Sequence, residues 1–414
     1  MEATQFQHGE GVRPAPLPDC RRPGCSGRML DHICVVCGAS DKPGATPPGD
    51  WLTQEPVTAQ SAAPSHLEMA APTAWIRPPA PQPRKPAGPT LGAGLVDVPV
   101  MPYRDPTAAI MRNPMVAEEA RFCVGCFSPV GRSDGRRPGD AEGRCFQCGT
   151  PFSFVPKLQT GDVVGAVYEV MGCLSYGGQG WIHLAKDHRR GEWVVLKGMI
   201  HTGNPEALAA AMAEQQFLRE VDHPNVVKIH DFVWHERAKT NFLVMEYLGG
   251  PTLRDIALNH YNQTRRALPD EQVIAYGLEI LSAFGYLHSV GLLYCDLKPS
   301  NVLQVRDQVK LIDLGGMRRI GDNKSPLIHT AGFAAPELGS YGPSIASDLY
   351  AVGRTMAALS TDFESRSAAD MNFTHTPSLS PYHRVLEWAT HPDPAHRPRS
   401  AEVMAHHLKK CLTQ

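Results

Sequence analysis

The hydrophobic pattern divides the chain into stretches of different period. Residues 1–118 show no sustained period. From Asp162 onward, short apolar runs alternate with turn residues. Val167–Leu174, Trp181–Ala185, the run Trp193-Val-Val-Leu ending at Lys197, Val226–Ile229 and Phe242–Met245 all read as strands. Among them, Pro205–Val221 carries Glu214, Phe217, Leu218 and Val221 at i, i+3, i+4 and i+7, one face of a helix. Further on the helical period dominates. Asp270–Ser289 reads as a helix with apolar Ile274, Leu278, Leu281 and Leu287, and Gly291 lies just past its end. Two short apolar runs follow, Val302–Val305 and Val309–Ile312, and Ser347-Asp348-Leu349-Tyr350 opens another helix. A sheet-rich lobe followed by a helix-rich lobe predicts an α+β, bilobal fold.

Composition separates the first part of the chain from the rest. At 414 residues there is room for two or three domains. Residues 39–118 are rich in proline, alanine, glycine and threonine, with Pro47-Pro48 and a proline cluster at 78–83. Such material predicts a disordered, mostly extended linker. Within it Leu67–Ile76, with Trp75, is a candidate docking segment, and Thr53, Thr58 and Thr73 are candidate phosphorylation targets. Charge is balanced, 40 basic against 42 acidic residues, for a net −2. That balance argues against nucleic acid or an anionic membrane as the main partner. No run of about 18 apolar residues predicts a membrane span, and the first residues lack the basic-then-apolar layout of a secretory signal. The expected location is cytoplasmic, where thiols stay reduced and paired cysteines point to metal or redox chemistry.

Eight of the 11 cysteines fall into two sets. Cys20, Cys25, Cys34 and Cys37 form a short module, 20–38, behind a polar tail, 1–19. Four thiolates there can close round one Zn²⁺, and the metal would supply the folding energy that so short a segment lacks. In the second module, 119–158, Cys123-Val-Gly-Cys126 and Cys145-Phe-Gln-Cys148 stand eighteen residues apart. This is the spacing of a zinc ribbon or a rubredoxin knuckle pair. Gly149 lets the backbone turn after the fourth ligand. Tetrahedral sulfur suits Zn²⁺ or iron alike. Zinc would be structural; a single iron changing oxidation state would be a redox sensor.

The stretch that organises the chain is Leu-Leu-Tyr-Cys-Asp-Leu-Lys-Pro-Ser-Asn at 292–301, followed after twelve residues by Asp313-Leu314-Gly315. Phosphoryl transfer needs a group to orient the attacking hydroxyl, a cation beside the moving phosphoryl and oxygen ligands for Mg²⁺. Asp296 suits the first, Lys298 the second, and Asn301 with Asp313 the third. Upstream, Ser175-Tyr176-Gly177-Gly178-Gln179-Gly180 is a Gly-rich turn whose amides can approach phosphate oxygens. Lys197 ends a strand where its ammonium can reach the α- and β-phosphates. Glu214, a carboxylate on an apolar stripe, needs a buried partner, for which Lys197 is the natural choice.

Residues 160–410 resemble a eukaryotic-type Ser/Thr protein kinase. With the second cysteine module, 120–410 is similar to the actinobacterial PknG family, which joins a rubredoxin-like domain to a kinase domain. The resemblance is carried by Gly-Gly-Gln-Gly-Trp-Ile at 177–182, Val-Val-Leu-Lys-Gly at 194–198, Val-Met-Glu-Tyr at 244–247, Asp-Leu-Lys-Pro at 296–299, Lys-Leu-Ile-Asp-Leu-Gly at 310–315 and Val-Gly-Arg-Thr at 352–355. It implies an N-lobe at 159–248 and a C-lobe at 249–412, with ATP and Mg²⁺ as cofactors. Ser175, Gly177, Gly178, Gly180 and Ile182 would cover the nucleotide. Met245 would form the pocket's back wall, and Glu246 and Leu248 would lie in the adenine-binding hinge. Thr330, seven residues before Glu337, would meet Asp296 and Lys298; Asp348 would hold the catalytic loop, and Arg397 would pair with Glu337. Ser175 replaces the first glycine of the loop, and Cys295 replaces the usual catalytic-loop arginine, which implies activity without activation-loop phosphorylation. The family usually continues into helical repeats, whereas this sequence stops at Gln414. Its implied partners are protein substrates, among them forkhead-associated-domain regulators of central metabolism. The rival expectation is a catalytically weak pseudokinase scaffold that binds protein partners.

Overall fold

The structure, a computed structural model, describes residues 29–30, 33–34, 90–123, 126, 128–135, 137–177, 180–198, 216–322, 329–330, 332–360 and 380–413. The tail 1–19, Cys20, Cys25, Cys37, the side chain of Cys34, most of the linker with Thr53, Thr58, Thr73 and Trp75, Gly178, and Glu214 with the helix expected around it lie outside the described residues. Of the first module, two short antiparallel strands are described, β1 (Met29–Leu30) and β2 (Ile33–Cys34).

The expected disordered linker ends earlier than residue 118. From Thr90 the chain has fixed partners. A hairpin of β3 (Thr90–Leu91) and β4 (Val96–Asp97) turns through Gly92, Ala93 and Gly94, all in the left-handed region at φ 66, 61 and 83°. The turn delivers the Gly92 N–H to Glu279 Oε1 at 2.9 Å. Leu91 and Val98 are buried in the same core as the long helix that bears Glu279. The chain then donates from Met101 N to Arg306 O and from Arg104 N to Gly249 O. Composition missed this because the segment has no period of its own; it borrows an apolar surface built by distant helices.

The cysteine module adds a small hairpin, β5 (Glu142–Arg144) with β6 (Pro151–Ser153). The N-lobe is one antiparallel sheet of β7 (Val163–Val164), β8 (Tyr168–Gly177), β9 (Gly180–Asp187), β10 (Glu192–Gly198), β11 (Ile229–His235) and β12 (Thr240–Glu246). Its order is β11-β12-β10-β9-β8-β7. Two expected boundaries shift. The first long strand continues through Ser175 and Tyr176 to Gly177, which pairs with Gly180. The strand expected at Val226–Ile229 starts only at Ile229, since Val226 makes an isolated parallel bridge to Leu311 instead.

The C-lobe is helical: α1 (Leu253–Thr264), α2 (Asp270–Ser289), α3 (Leu338–Tyr341), α4 (Ile345–Leu359), α5 (Pro381–Ala389) and α6 (Ala401–Cys411). Reciprocal capping boxes start two of them, Thr252 with Asp255 on α1 and Ser344 with Ser347 on α4. The helix α2 has the bounds expected from its period and is buried over most of its length, as the pillar of the main core. Two-stranded pairs stand beside it, β13 (Leu292–Leu293) with β16 (Arg318–Arg319) and β14 (Val302–Val305) with β15 (Gln308–Leu311).

His183 on β9 is 1 % exposed and packs edge-on to Phe242. Burial holds its imidazole down to about 4, against 6.5 in the open chain. Between those values the unfolded chain binds a proton that the folded chain does not, so stability must fall as pH falls. Urea unfolding at pH 7 and pH 5 should show a steeper acid loss for the parent than for His183→Phe. Equal losses would show that His183 stays neutral for no energetic reason.

Candidate active site and cysteine centre

The catalytic-loop residues converge by the shape of a short turn. After β13 the chain passes Tyr294 and Cys295, the latter at φ 69°. That left-handed residue is held by Asp348 of α4, whose Oδ2 accepts from Tyr294 N and Oδ1 from Cys295 N, both at 2.9 Å. His288 Nε2 lies 2.9 Å from the same Oδ2. Asp348 is therefore where the sequence placed it; its third partner His288 was missed, hidden as one polar residue in the helical stripe of α2. Arg318 comes against the Cys295 thiol, which burial pushes well up. A guanidinium thus reaches this corner from β16, although the loop itself has none.

Asp296, 7 % exposed, is the centre of the cluster. Its Oδ1 accepts from Thr330 Oγ1 at 2.7 Å. Its Oδ2 accepts from Lys298 Nζ at 2.9 Å and from Asn301 Nδ2 at 3.2 Å. Lys298 Nζ also donates to Thr330 Oγ1 at 2.6 Å. A hydroxyl thus sits between a carboxylate oxygen and an ammonium. Asn301 Nδ2 donates to Asp296 O at 2.8 Å as well, which fixes the amide plane. Twelve residues on, Asp313 Oδ1 meets Lys197 Nζ at 2.7 Å and accepts from Gly315 N at 3.1 Å. Burial is the largest single influence and would raise the Asp313 carboxyl; the Lys197 charge and hydrogen bond, the Gly315 N–H and the Lys298 charge together outweigh it and hold the group below the usual carboxylate range. Lys197 was expected to meet Glu214, which lies outside the described residues, and Asp313 is the partner described.

The other expected nucleotide residues that are described lie on β8, β9 and β12 or just past its end. Ile182 is opposite Lys197 across β9 and β10, and Ser175 is opposite Ile182 across β8 and β9. Gly177 and Gly180 close the hairpin as paired residues. Met245 is buried on β12, opposite Val195. Leu248 packs against the main core. The Glu246 carboxylate accepts from Lys228 N and Lys310 Nζ. Below, Arg397 grips Glu337 with two parallel bonds of 2.7 and 2.8 Å, both side chains buried, as the spacing implied.

In the second module the four sulfurs of Cys123, Cys126, Cys145 and Cys148 lie within 4.8 Å of one another. Cys123 to Cys148 and Cys126 to Cys145 are each 3.5 Å apart. A tetrahedral metal with bonds of about 2.3 Å has sulfur–sulfur edges of about 3.8 Å, so the cluster fits such an ion. Gly149 takes φ 72° and closes the second knuckle by donating to Cys145 O at 2.8 Å. Bonds at Thr150 pull Cys148 down to about 6, while burial pushes Cys145 up to about 11. The module is not a satellite. Cys123, Cys145, Val116, Val130 and Phe154 share one core with Cys173 of β8 and Trp181 of β9, and Tyr176 packs against it. It packs against the β8–β9 hairpin through Cys173, Tyr176 and Trp181.

A sheet lobe and a helical lobe meeting at an Asp–Lys–Asn–Asp cluster define a protein kinase, and comparison agrees. The chain belongs to the protein kinase domain family, which matches residues 168–414. The protein kinase G rubredoxin domain matches residues 85–158, a span that takes in the hairpin at 90–97. Among curated proteins, the chain is 48 % identical over 338 residues to serine/threonine-protein kinase PknG of Mycolicibacterium smegmatis, covering 78 % of this chain and 43 % of that protein. With PknG of Mycobacterium leprae the identity is 44 % over 340 residues, covering 78 % and 44 %. The resemblance read from the motifs therefore holds, and the chain spans less than half the length of these relatives. The crystal structure of the Mycobacterium tuberculosis PknI kinase domain matches with a TM-score of 0.50 at 20 % identity, covering 61 % of this chain and 99 % of that one, which supports the fold. No helix among the described residues is long and apolar enough to cross a membrane.

Proposed function

We propose that the chain is a Ser/Thr protein kinase that transfers the γ-phosphoryl group of ATP to protein hydroxyls. The observation that carries this reading is the Thr330 hydroxyl, bonded at once to Asp296 Oδ1 and Lys298 Nζ. It marks a place where the carboxylate and the ammonium handle an alcohol together.

Asp296 orients the substrate hydroxyl, whose oxygen forms the new bond to the γ-phosphorus as the β,γ-bridging bond breaks and ADP leaves. The hydroxyl proton passes late to the Asp296 carboxylate. Lys298 balances the charge on the transferring group. Lys197 positions the α- and β-phosphates, and the Gly177–Gly180 turn offers main-chain amides to them. Asn301, through its amide oxygen, and Asp313 would hold Mg²⁺, which supplies charge neutralisation when bound. Ile182 and Met245 shape the base pocket, with the main chain of 246–248 as its polar edge. The cysteine module would hold Zn²⁺ or iron and steady the N-lobe. By resemblance to the PknG family, forkhead-associated-domain regulators of central metabolism are candidate substrates, met in the cytoplasm.

The test is transfer of labelled phosphate from ATP by the purified chain, to itself and to a generic protein, with Asp313→Asn alongside. Transfer by the parent and loss in the variant is the expected result. Nucleotide binding without transfer by the parent would overturn it in favour of a scaffold.

A further inference from the structure

We propose that Lys310 is a positioning residue that pins the magnesium-holding hairpin to the hinge. The inference rests on the kinase reading and gives a role to a motif residue that the resemblance left without one.

Lys310 lies on β15, three residues before Asp313. Its Nζ bonds Glu246 Oε1 at 2.6 Å, and the side chains are only 14 % and 27 % exposed. Glu246 is the last residue of β12, where the N-lobe sheet becomes the hinge. The same Oε1 accepts from Lys228 N at 2.9 Å, and Glu246 N donates back to Lys228 O at 3.0 Å. One carboxylate oxygen thus joins the start of β11, the end of β12 and a strand of the other lobe.

The hairpin on the far side of this bond is the one that carries both expected cation ligands. Asn301 precedes β14, and Asp313 follows β15. The two ends are closed by Ile312 N donating to Asn301 O at 3.0 Å. A main-chain seam runs beside it: Leu311 N donates to Asn225 O at 2.9 Å, and Val227 N to Leu311 O at 2.8 Å. The hairpin is held elsewhere as well: Val309 O accepts from Asn225 Nδ2 at 2.8 Å, and Gln304 N donates to Pro251 O at 3.0 Å. The Lys310–Glu246 pair adds a side-chain tie to the last residue of β12, at the start of the hinge. The distance from the base-facing main chain at 246–248 to Asp313 is then set on both sides. A nucleotide whose base meets the hinge and whose phosphates meet Asp313 would sense that distance through binding, whereas the Asp296 cluster touches the hairpin only through Asn301. A half-buried, charge-assisted bond is strong enough to hold such a setting.

Steady-state kinetics of the full chain should show the Michaelis constant for ATP raised about fivefold by Lys310→Met, the scale expected for losing one such bond in part. Its kcat should change less than the Michaelis constant, within about twofold, because Thr330 and Lys298 bond Asp296 without using the hairpin. Lys310→Arg should restore most of the affinity. Lys310→Met combined with Glu246→Gln should be no worse than either alone, as for two ends of one contact. Calorimetric Kd for Mg–ATP reads the same effect without turnover. A parent that binds Mg–ATP but transfers nothing would sink the kinase reading and still test the pin. An unchanged Kd in a folded Lys310→Met, additive losses in the double variant, or a raised kcat would overturn the pin.

Discussion

Asp296→Asn should lower kcat at least about a hundredfold, the lower end of what a positioned general base contributes. The substitution keeps the shape of the side chain and removes its charge. Asp296 accepts three bonds through two oxygens: the Thr330 hydroxyl on Oδ1, and Lys298 and Asn301 on Oδ2. An amide has one oxygen for these three donors. If that oxygen faces Lys298, the amide nitrogen faces the hydroxyl and cannot take its proton. If it faces the hydroxyl, an N–H₂ is set against the Lys298 ammonium. Either way the base is lost. The main chain should not move, because Asp348 holds the preceding residues from α4. The Michaelis constant for ATP should change far less than kcat, since Lys197 and Asp313 meet each other and not Asp296. Single-turnover transfer of labelled phosphate with the variant at saturating ATP measures the step. Full activity there would remove Asp296 from the chemistry.

What could be read from the sequence follows from how local each signal is. The α2 bounds were legible because a buried helix writes its period into twenty successive residues. The Asp296, Lys298, Asn301 and Asp313 cluster was legible because short turns fix those side chains relative to one another. The four sulfurs of the second module came together for the same reason, two knuckles of fixed spacing. Contacts between distant segments left no such trace. Lys310 looks like one charge in an apolar run, and its partner Glu246 is sixty-four residues away. His288 looks like a polar interruption of a helical stripe, yet it completes the bonding of Asp348. The hairpin at 90–97 resembles linker until the surface of α2 is present to receive Leu91 and Val98. Nor did the sequence show that the cysteine module would share a core with Trp181 and Cys173. Spacing gives the ligands of a metal, not the face against which the metal site is built.

That shared core makes metal removal the change with the widest reach. Stripping the second module with a strong chelator should unfold it and loosen the Gly-rich hairpin beneath. Two of the sulfurs belong to buried residues of this core, Cys123 and Cys145, and the remaining apolar members from the module are few: Val116, Val130 and Phe154, with Phe152 and Met111 at the edge. A core so small does not hold a domain unaided. Structural zinc in peptide fingers supplies apparent binding energies of roughly 10–16 kcal/mol at neutral pH, which is folding energy where no site exists in the unfolded chain. Without the ion, four thiols meet in a space sized for four thiolates round a cation, and nothing replaces the bonds. The exposed side would be Trp181 and Tyr176, which now pack edge to face 5.1 Å apart on β8 and β9. Tryptophan emission should shift to the red, a separate early step should appear in thermal unfolding, and the Michaelis constant for ATP should rise while the Asp296 cluster stays intact in the other lobe. Cys145→Ser should reproduce all three without chelator. A chain shown by elemental analysis to be metal-free, yet unchanged in emission and unfolding, would mean that packing against Trp181 suffices to hold the module, and that the four sulfurs are not what steadies the hairpin.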